Sequence, residues 1–499
     1  MNMKEMTMED IRKRITYRQE GDFLVPNIGL PEKEENQPEL RKYGMMRKNY
    51  LKENNLQVYE SLVANGTLFQ EMVKVDEAAD RIKEQVLPQL LKDAGVTEEL
   101  KQKDQLKWVL NHMPKSDDQH LDVMSLPNVA KARSFHGSFP QYSITPLAQL
   151  DGMAQYLGLA GVYVKDESYR FGLNAFKVLG GSFAMARYIA GEMGRDVSEM
   201  NYSYLTSEAF RKEFGQATFF TATDGNHGRG VAWAANKLGQ KSVVHMPKGS
   251  SKSRFDNIAK EGAKVTIEEV NYDDCVRMAA AEAAQTEHGV IVQDTAWDGY
   301  EEIPSWIMQG YGTMANEAAD QLRQCSVNRP THVFVQAGVG SLAGAVVGFF
   351  ANLFPNDPPK FVVMEAEAAD CLYQGALAND GKPRIVTGDL KTIMAGLACG
   401  EPNTISWDIL RNHVSAFISC PDWVSAKGMR MLSSPVKGDP RVVSGESGAV
   451  GMGVLDAIMC DDTYKELRDA LELDRHSRVL MLSTCLLYTS DAADDTPCV

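Results

Sequence analysis

Lys177 stands between Phe176 and the apolar, glycine-bearing run Val178-Leu-Gly-Gly181. A primary amine adds to an aldehyde only when unprotonated, so a lysine used covalently needs partly desolvated surroundings. Phe176, Val178 and Leu179 can supply that wall; the plainer alternative is a lysine whose stem lies on apolar surface with its ammonium in water. Two further loops bear on the choice. Thr223-Asp-Gly-Asn-His-Gly-Arg-Gly230 and Gln336-Ala-Gly-Val-Gly-Ser-Leu-Ala-Gly344 each follow an apolar run and open a helix-like segment. In the second, Gly338, Val339, Gly340, Ser341 and Leu342 expose successive backbone N–H groups at a helix start, which hold a phosphate by hydrogen bonds and the helix dipole. Together the three stretches point to a lysine-bound, phosphate-bearing cofactor.

Each feature also has a bland reading. The G-x-G-x-x-x-G spacing departs from the dinucleotide fingerprint, although Glu365-Ala-Glu367 stands near the distance at which a ribose-binding acid is found. Asp224 and Asp294 each end an apolar run, where an aspartate commonly forms a turn or caps a helix. Two carboxylates on the ligand side of a sheet can instead bind a substrate ammonium or move its protons. His227 has no second histidine at ligand spacing, and the eight cysteines, at 275, 325, 371, 399, 420, 460, 485 and 498, form no CxxC pair. Free thiols and no metal site are expected.

The elements that must position these residues begin near Ala160. Apolar runs at 162–165, 217–221, 242–245, 290–293, 333–336, 361–364 and 479–482 alternate with helix-like, Ala-rich segments, which predicts an α/β architecture with parallel sheets. Such sheets bind their ligand beyond the carboxyl ends of the strands, where both glycine loops fall. With 499 residues, 44% of them hydrophobic, the chain divides into two or three domains. A formal net charge of −15 argues against nucleic-acid or anionic-membrane partners. No secretion signal or membrane-spanning run is visible, so a cytoplasmic protein is expected.

Residues 1–116 read differently. Helical stretches at about 50–70 and 76–106 follow a Pro-rich, strandless segment at 26–38, and no chemistry is visible in them. Through Gly21-Asp-Phe-Leu-Val-Pro26, Tyr50-Leu-Lys-Glu53 and Gly95-Val-Thr-Glu-Glu-Leu-Lys101, this part resembles the TnpV-type proteins of bacterial mobile elements, which implies a fusion or a chimera. At the other end, Cys485 to Asp494 resembles the translation of a sequencing-library adapter.

Lys165-Asp-Glu167, Phe176-Lys177, Gly225-Asn-His-Gly228, Gly338-Val-Gly340 and Met394-Ala-Gly-Leu-Ala398, in that order, resemble the fold-type II pyridoxal-phosphate enzymes. Within them, Arg170-Phe-Gly-Leu-Asn-Ala-Phe-Lys177, Thr223 to Trp233, Gln293-Asp-Thr-Ala-Trp297, Gly396 to Asn403 and Ser444-Gly-Glu-Ser-Gly-Ala449 resemble the diaminopropionate ammonia-lyases. The likeness spans about Ser134 to Thr484.

That resemblance implies a tryptophan synthase β-like fold: a large cofactor-binding domain at 117–181 and 300–484, a small α/β domain at 182–299, a mainly helical extension at 1–116 and a non-native tail at 485–499. It further implies pyridoxal 5'-phosphate on Lys177 and ammonia elimination from a small amino acid, 2,3-diaminopropionate, by a cytoplasmic homodimer. Lys177 is the base for the L-substrate, Asp224 for the D-substrate, and Asp294 helps orient the substrate or handles the β-amino group. Asn226 meets the phenolic oxygen of the cofactor, residues 338–342 hold its phosphate, and Ser483 or Thr484 faces its ring nitrogen. A serine or threonine dehydratase and a catalytically inactive fusion are the alternatives, with a nicotinamide dehydrogenase further off.

Overall fold

The computed structural model describes residues 17–20, 23–26, 44, 47–48, 50–52, 55–78, 81, 104–223, 225–297 and 299–486, without the side chains of 17–26 and 273. Two compact units divide the chain at Lys103/Asp104. In the first, β1 (Tyr17–Glu20) pairs antiparallel with β2 (Phe23–Pro26). This strand pair qualifies the expectation of a mainly helical extension. The two-residue Gly21-Asp22 separator in the sequence is the signal that was open to reading. Helix Leu56–Ala64 stops at Asn65, and helix resumes over 68–78, so the expected 50–70 helix is two pieces. Inside this unit the buried Asp76 carboxylate accepts the Gly44 N–H at 2.8 Å. Most of the expected 76–106 helix and of the Pro-rich stretch lies outside the described residues.

The second unit carries two sheets. The larger runs β3 (Lys107–Leu110), β12 (Val414–Cys420), β11 (Lys360–Ala366), β10 (His332–Gln336), β13 (Arg478–Ser483), β5 (Gly161–Asp166) and β4 (Leu147–Gln149). The smaller runs β8 (Lys264–Ile267), β7 (Lys241–Met246), β6 (Thr218–Ala222) and β9 (Gly289–Ile291), all parallel. In the large sheet the five inner strands are parallel, whereas β3 and β4 join antiparallel at the edges. Inner strands such as β5 and β10 are buried along their whole length, as a sheet covered by helices on both faces requires. The short edge strands leave little unpaired backbone. β3 also corrects the boundary at 116: Lys107–Leu110 hydrogen-bonds to β12, so residues 104–116 go with the second unit.

Behind the sheet lies a buried charge network that ties β5 to the helix Glu302–Gln324. Lys165 Nζ donates to Glu317 Oε2 at 2.7 Å, to the Thr145 carbonyl at 2.8 Å and to Gln321 Oε1 at 2.8 Å. Arg170 reaches Glu167 through Nε and Nη2 at 2.8 Å each, and Glu317 through Nη1 at 2.9 Å and Nη2 at 2.8 Å. Burial alone would raise the Glu317 carboxyl, but Arg170 and Lys165 hold it down at about 2. Lys165 is therefore saturated in the wall of the domain and takes no part in covalent chemistry.

His136 is buried beside this network, its Nδ1 2.8 Å from Thr313 Oγ1 and its Nε2 3.0 Å from the Leu179 carbonyl. Burial, helped by the Arg170 cation, pushes its pKa down to about 3. A neutral buried imidazole stabilises the fold fully above the unfolded value near 6.5, and that stability is lost as pH falls from there toward 3. The loss is about 1.4 kcal/mol per pH unit for one histidine. Melting curves from pH 7 to 4.5 should therefore fall more steeply in the unmodified chain than in His136→Asn; equal slopes would remove His136 from the acid response.

Candidate active site

Lys177 immediately precedes the helix Val178–Glu192. Its approach is fixed from the far end of the chain: the Phe176 N–H donates to the Thr484 carbonyl at 3.3 Å and the Leu486 N–H to the Asn174 carbonyl at 2.8 Å, with Ala175 bridged to Cys485. Cys485 and Leu486 of the expected tail are thus seated against the lysine loop, while 487–499 lie outside the described residues. From the other side comes the helix Asn226–Lys237. A Cβ on Gly230 would lie 2.8 Å from both Val178 N and Val178 Cα, so only glycine lets the two backbones touch and brings the Asn226 end beside the lysine.

Lys177 Nζ donates to Asp294 Oδ2 at 2.5 Å. Burial would raise the Asp294 carboxyl, yet Lys177 beside it and His227 hold it far below the ordinary carboxylate range, so it is an anion facing a cation. The same residue reaches the glycine loop: its carbonyl accepts Ser341 Oγ at 2.5 Å. Ser341 Oγ in turn accepts Asn403 Nδ2 at 3.0 Å, and the Asn403 N–H donates to the Val339 carbonyl at 2.7 Å. Gly340, at φ 103°, turns the chain into the helix Ser341–Leu353. The first bond of that helix is Gly344 N–H to the Gly340 carbonyl at 2.7 Å, so the amides ahead of it point out of the helix end. An amine and a helix-end anion cradle, joined through one aspartate, fit an aldehyde that carries a phosphate.

Ser483 ends β13 and Thr484 follows it, both buried. The Ser483 hydroxyl donates to Ser444 Oγ at 2.9 Å, and Gln336 Nε2 donates to Thr484 Oγ1 at 2.9 Å. His227 is buried, with Nε2 2.8 Å from the Val292 carbonyl. Asp224 lies outside the described residues. Around it, the Thr223 N–H donates to the His245 carbonyl at 3.0 Å and the Gly225 N–H to Thr223 Oγ1 at 3.0 Å.

Glu365, near the ribose-acid distance in sequence, is taken up by a helix start beside the glycine loop. It accepts the N–H groups of Leu372 at 2.8 Å and Tyr373 at 2.7 Å, at the start of helix Cys371–Ala378, and burial raises its pKa well above the usual range. The nicotinamide reading loses its acid.

Sequence reasoning gave no role to Asn403, Ser444 or the Gln293 side chain. Gln293 Oε1 accepts the Ala222 N–H at 3.1 Å and its Nε2 donates to the Ala222 carbonyl at 3.0 Å, extending the β6–β9 ladder to the residue before Asp294. The apolar run Val290-Ile-Val292 closed by a glutamine was the available hint.

Comparison with known proteins agrees with this geometry. The profile of the family described as pyridoxal-phosphate dependent enzyme matches residues 139–484, and that of transposon-encoded protein TnpV matches residues 16–119. The diaminopropionate ammonia-lyase of Salmonella typhimurium is 51% identical over 352 residues, 70% of this chain and 87% of that relative. Two solved structures of the Escherichia coli diaminopropionate ammonia lyase superpose over 78% of this chain and 95% of theirs. The complex with D-serine does so at TM-score 0.69 and 42% identity. The complex with an aminoacrylate–PLP azomethine intermediate does so at TM-score 0.68 and 43% identity. With its lysine, carboxylate and glycine loop joined in one site, the chain belongs to the fold-type II pyridoxal-phosphate dependent enzymes and, among them, to the diaminopropionate ammonia-lyase family.

Proposed function

We propose that this chain eliminates ammonia from 2,3-diaminopropionate, in the L and the D form, and that pyruvate and two molecules of ammonia result after one water is consumed. The observation that carries the reading is the continuous path from Lys177 Nζ through Asp294 to Ser341, which sets an amine, a carboxylate and an anion cradle in one site. Pyridoxal phosphate, when bound, supplies the electron sink for the carbanion at Cα.

The chain's own groups do the rest. Lys177 Nζ removes the α-proton of the L-substrate, and Asp224 that of the D-substrate. An amine leaves only as its protonated form, so the Asp294 carboxyl group beside it favours protonation of the β-nitrogen and holds it in place until the C–N bond breaks. Amides of Gly338, Val339, Gly340, Ser341 and Leu342 would hold the phosphate of the cofactor, Asn226 its phenolic oxygen, and a hydroxyl from Ser483 or Thr484 its ring nitrogen.

Pyruvate release from each enantiomer, measured on the unmodified chain beside Asp224→Asn, tests these roles. Turnover of the D-substrate should fall about 10²-fold or more while the L-substrate keeps most of its rate. Undiminished D-turnover would remove Asp224 as its base, and L-serine proving the better substrate would replace the ammonia-lyase reading with a dehydratase. A cytoplasmic homodimer completes the proposal, and sedimentation of the purified chain checks the assembly.

A further inference from the structure

His227 Nδ1 is a buried nitrogen with no hydrogen-bond partner, on a side chain only 3% exposed. Because Nε2 sits 2.8 Å from the Val292 carbonyl, that nitrogen carries the hydrogen and Nδ1 is left with its lone pair. The lone pair faces Asp294 Oδ2 at 3.8 Å. Two acceptors at that distance gain nothing from each other until a proton is placed between them. The proton has a source: Asp294 Oδ2 is also the atom that Lys177 Nζ touches, at 2.5 Å. Burial lowers the pKa of the imidazole most; among the described residues Asp294 raises it and Lys177 lowers it, and the ring is left neutral.

We propose that His227 and Asp294 share one proton during turnover and relay it from Lys177 to the departing β-nitrogen. This rests on the elimination reading above. The α C–H bond breaks, its proton goes to Lys177 Nζ and its electron pair forms the Cα–Cβ double bond. From Nζ the proton passes to Asp294 Oδ2, with His227 Nδ1 stabilising the neutral acid by accepting its hydrogen bond. It then moves to a β-amino group that arrived neutral. The C–N bond breaks, the pair leaves with nitrogen, and ammonia departs with the relayed proton. One proton enters from Cα and one leaves on nitrogen. His227 acts through Asp294 and is a positioning residue.

The pairing is tested without turnover by histidine NMR of the full-length, cofactor-free protein, with the His227 signal identified by its absence in His227→Gln. Removing the competing cation in Lys177→Ala should move the His227 titration upward by about one pH unit or more. An unchanged titration overturns the pairing.

The relay is tested on the holoenzyme with His227→Gln, whose side-chain amide can keep the bond to Val292 and has no Nδ1. Its kcat for L-2,3-diaminopropionate should fall about 10- to 100-fold with little change in KM, while β-chloroalanine, whose chloride leaves without a proton, should be consumed at nearly the unmodified rate. Equal slowing of both substrates overturns the relay and makes His227 purely structural. If the titration moves as expected but no unmodified holoenzyme turns over either substrate, the elimination reading and the relay fall while the proton pair stands.

Discussion

Lys177→Ala is expected to lower pyruvate formation by at least about 10³-fold, because under the proposed function it removes both the covalent anchor and the base for the L-substrate. The loss should appear in kcat and persist at saturating cofactor. Borohydride reduction followed by peptide mapping gives the matching positive result: the reduced adduct should sit on the peptide containing Lys177. A label on Lys165 would reverse the assignment, since that amine already meets Glu317, Gln321 and the Thr145 carbonyl inside the wall of the domain. The two lysines also differ in exposure, the Lys165 side chain being wholly buried and that of Lys177 about a quarter exposed at 26%. Only the latter has room to meet a ligand.

The second large effect is on stability. Glu317→Ala should destabilise the second unit by about 3–5 kcal/mol, because it leaves two buried cations, Lys165 and Arg170, to the single carboxylate of Glu167, and Lys165 without its ion-pair partner. Glu317 is the single carboxylate that both cations touch, at 2.7 Å and 2.8 Å. Urea midpoints followed by tryptophan fluorescence provide the measurement, and a shift worth less than about 1 kcal/mol would show that water or rearrangement relieves the charges. The exposed pair Lys252–Asp256 offers the contrast, for its loss should not move the midpoint measurably. Removing a partner and replacing the whole network are different experiments: an all-apolar substitute for Lys165, Glu167, Arg170 and Glu317 need not cost stability at all.

The parts of this fold that could be read from sequence are those where burial leaves an uninterrupted apolar record. β5, β6, β7, β9, β10, β11 and β13 coincide with the runs that predicted them. The other four strands of the second unit carry no such record. β3 and β4 are short and have sheet neighbours on one side only, β8 is exposed at both ends and only half-buried between them, and β12 has serines at 415 and 419 amid its apolar residues.

The site divides in the same manner. Lys177, Asp294 and residues 338–342 could be chosen because chemistry constrains their types. Asn403, Gln293 and Ser444 could not, since an amide or a hydroxyl gains its role only from the neighbour that folding brings to it. Lys165 shows the converse, as its motif is legible while its task is purely architectural.

The strand Lys107–Leu110 lies within the stretch matched by the TnpV profile, yet its hydrogen bonds are to Ser419, Ile418, Phe417 and Ala416 of the catalytic unit. The family matches and the folding units therefore divide at different residues: the two matches stop and start between 119 and 139, whereas the compact units separate at 103/104. The outermost strand of the large sheet thus falls inside one family match and folds with the unit that carries the other.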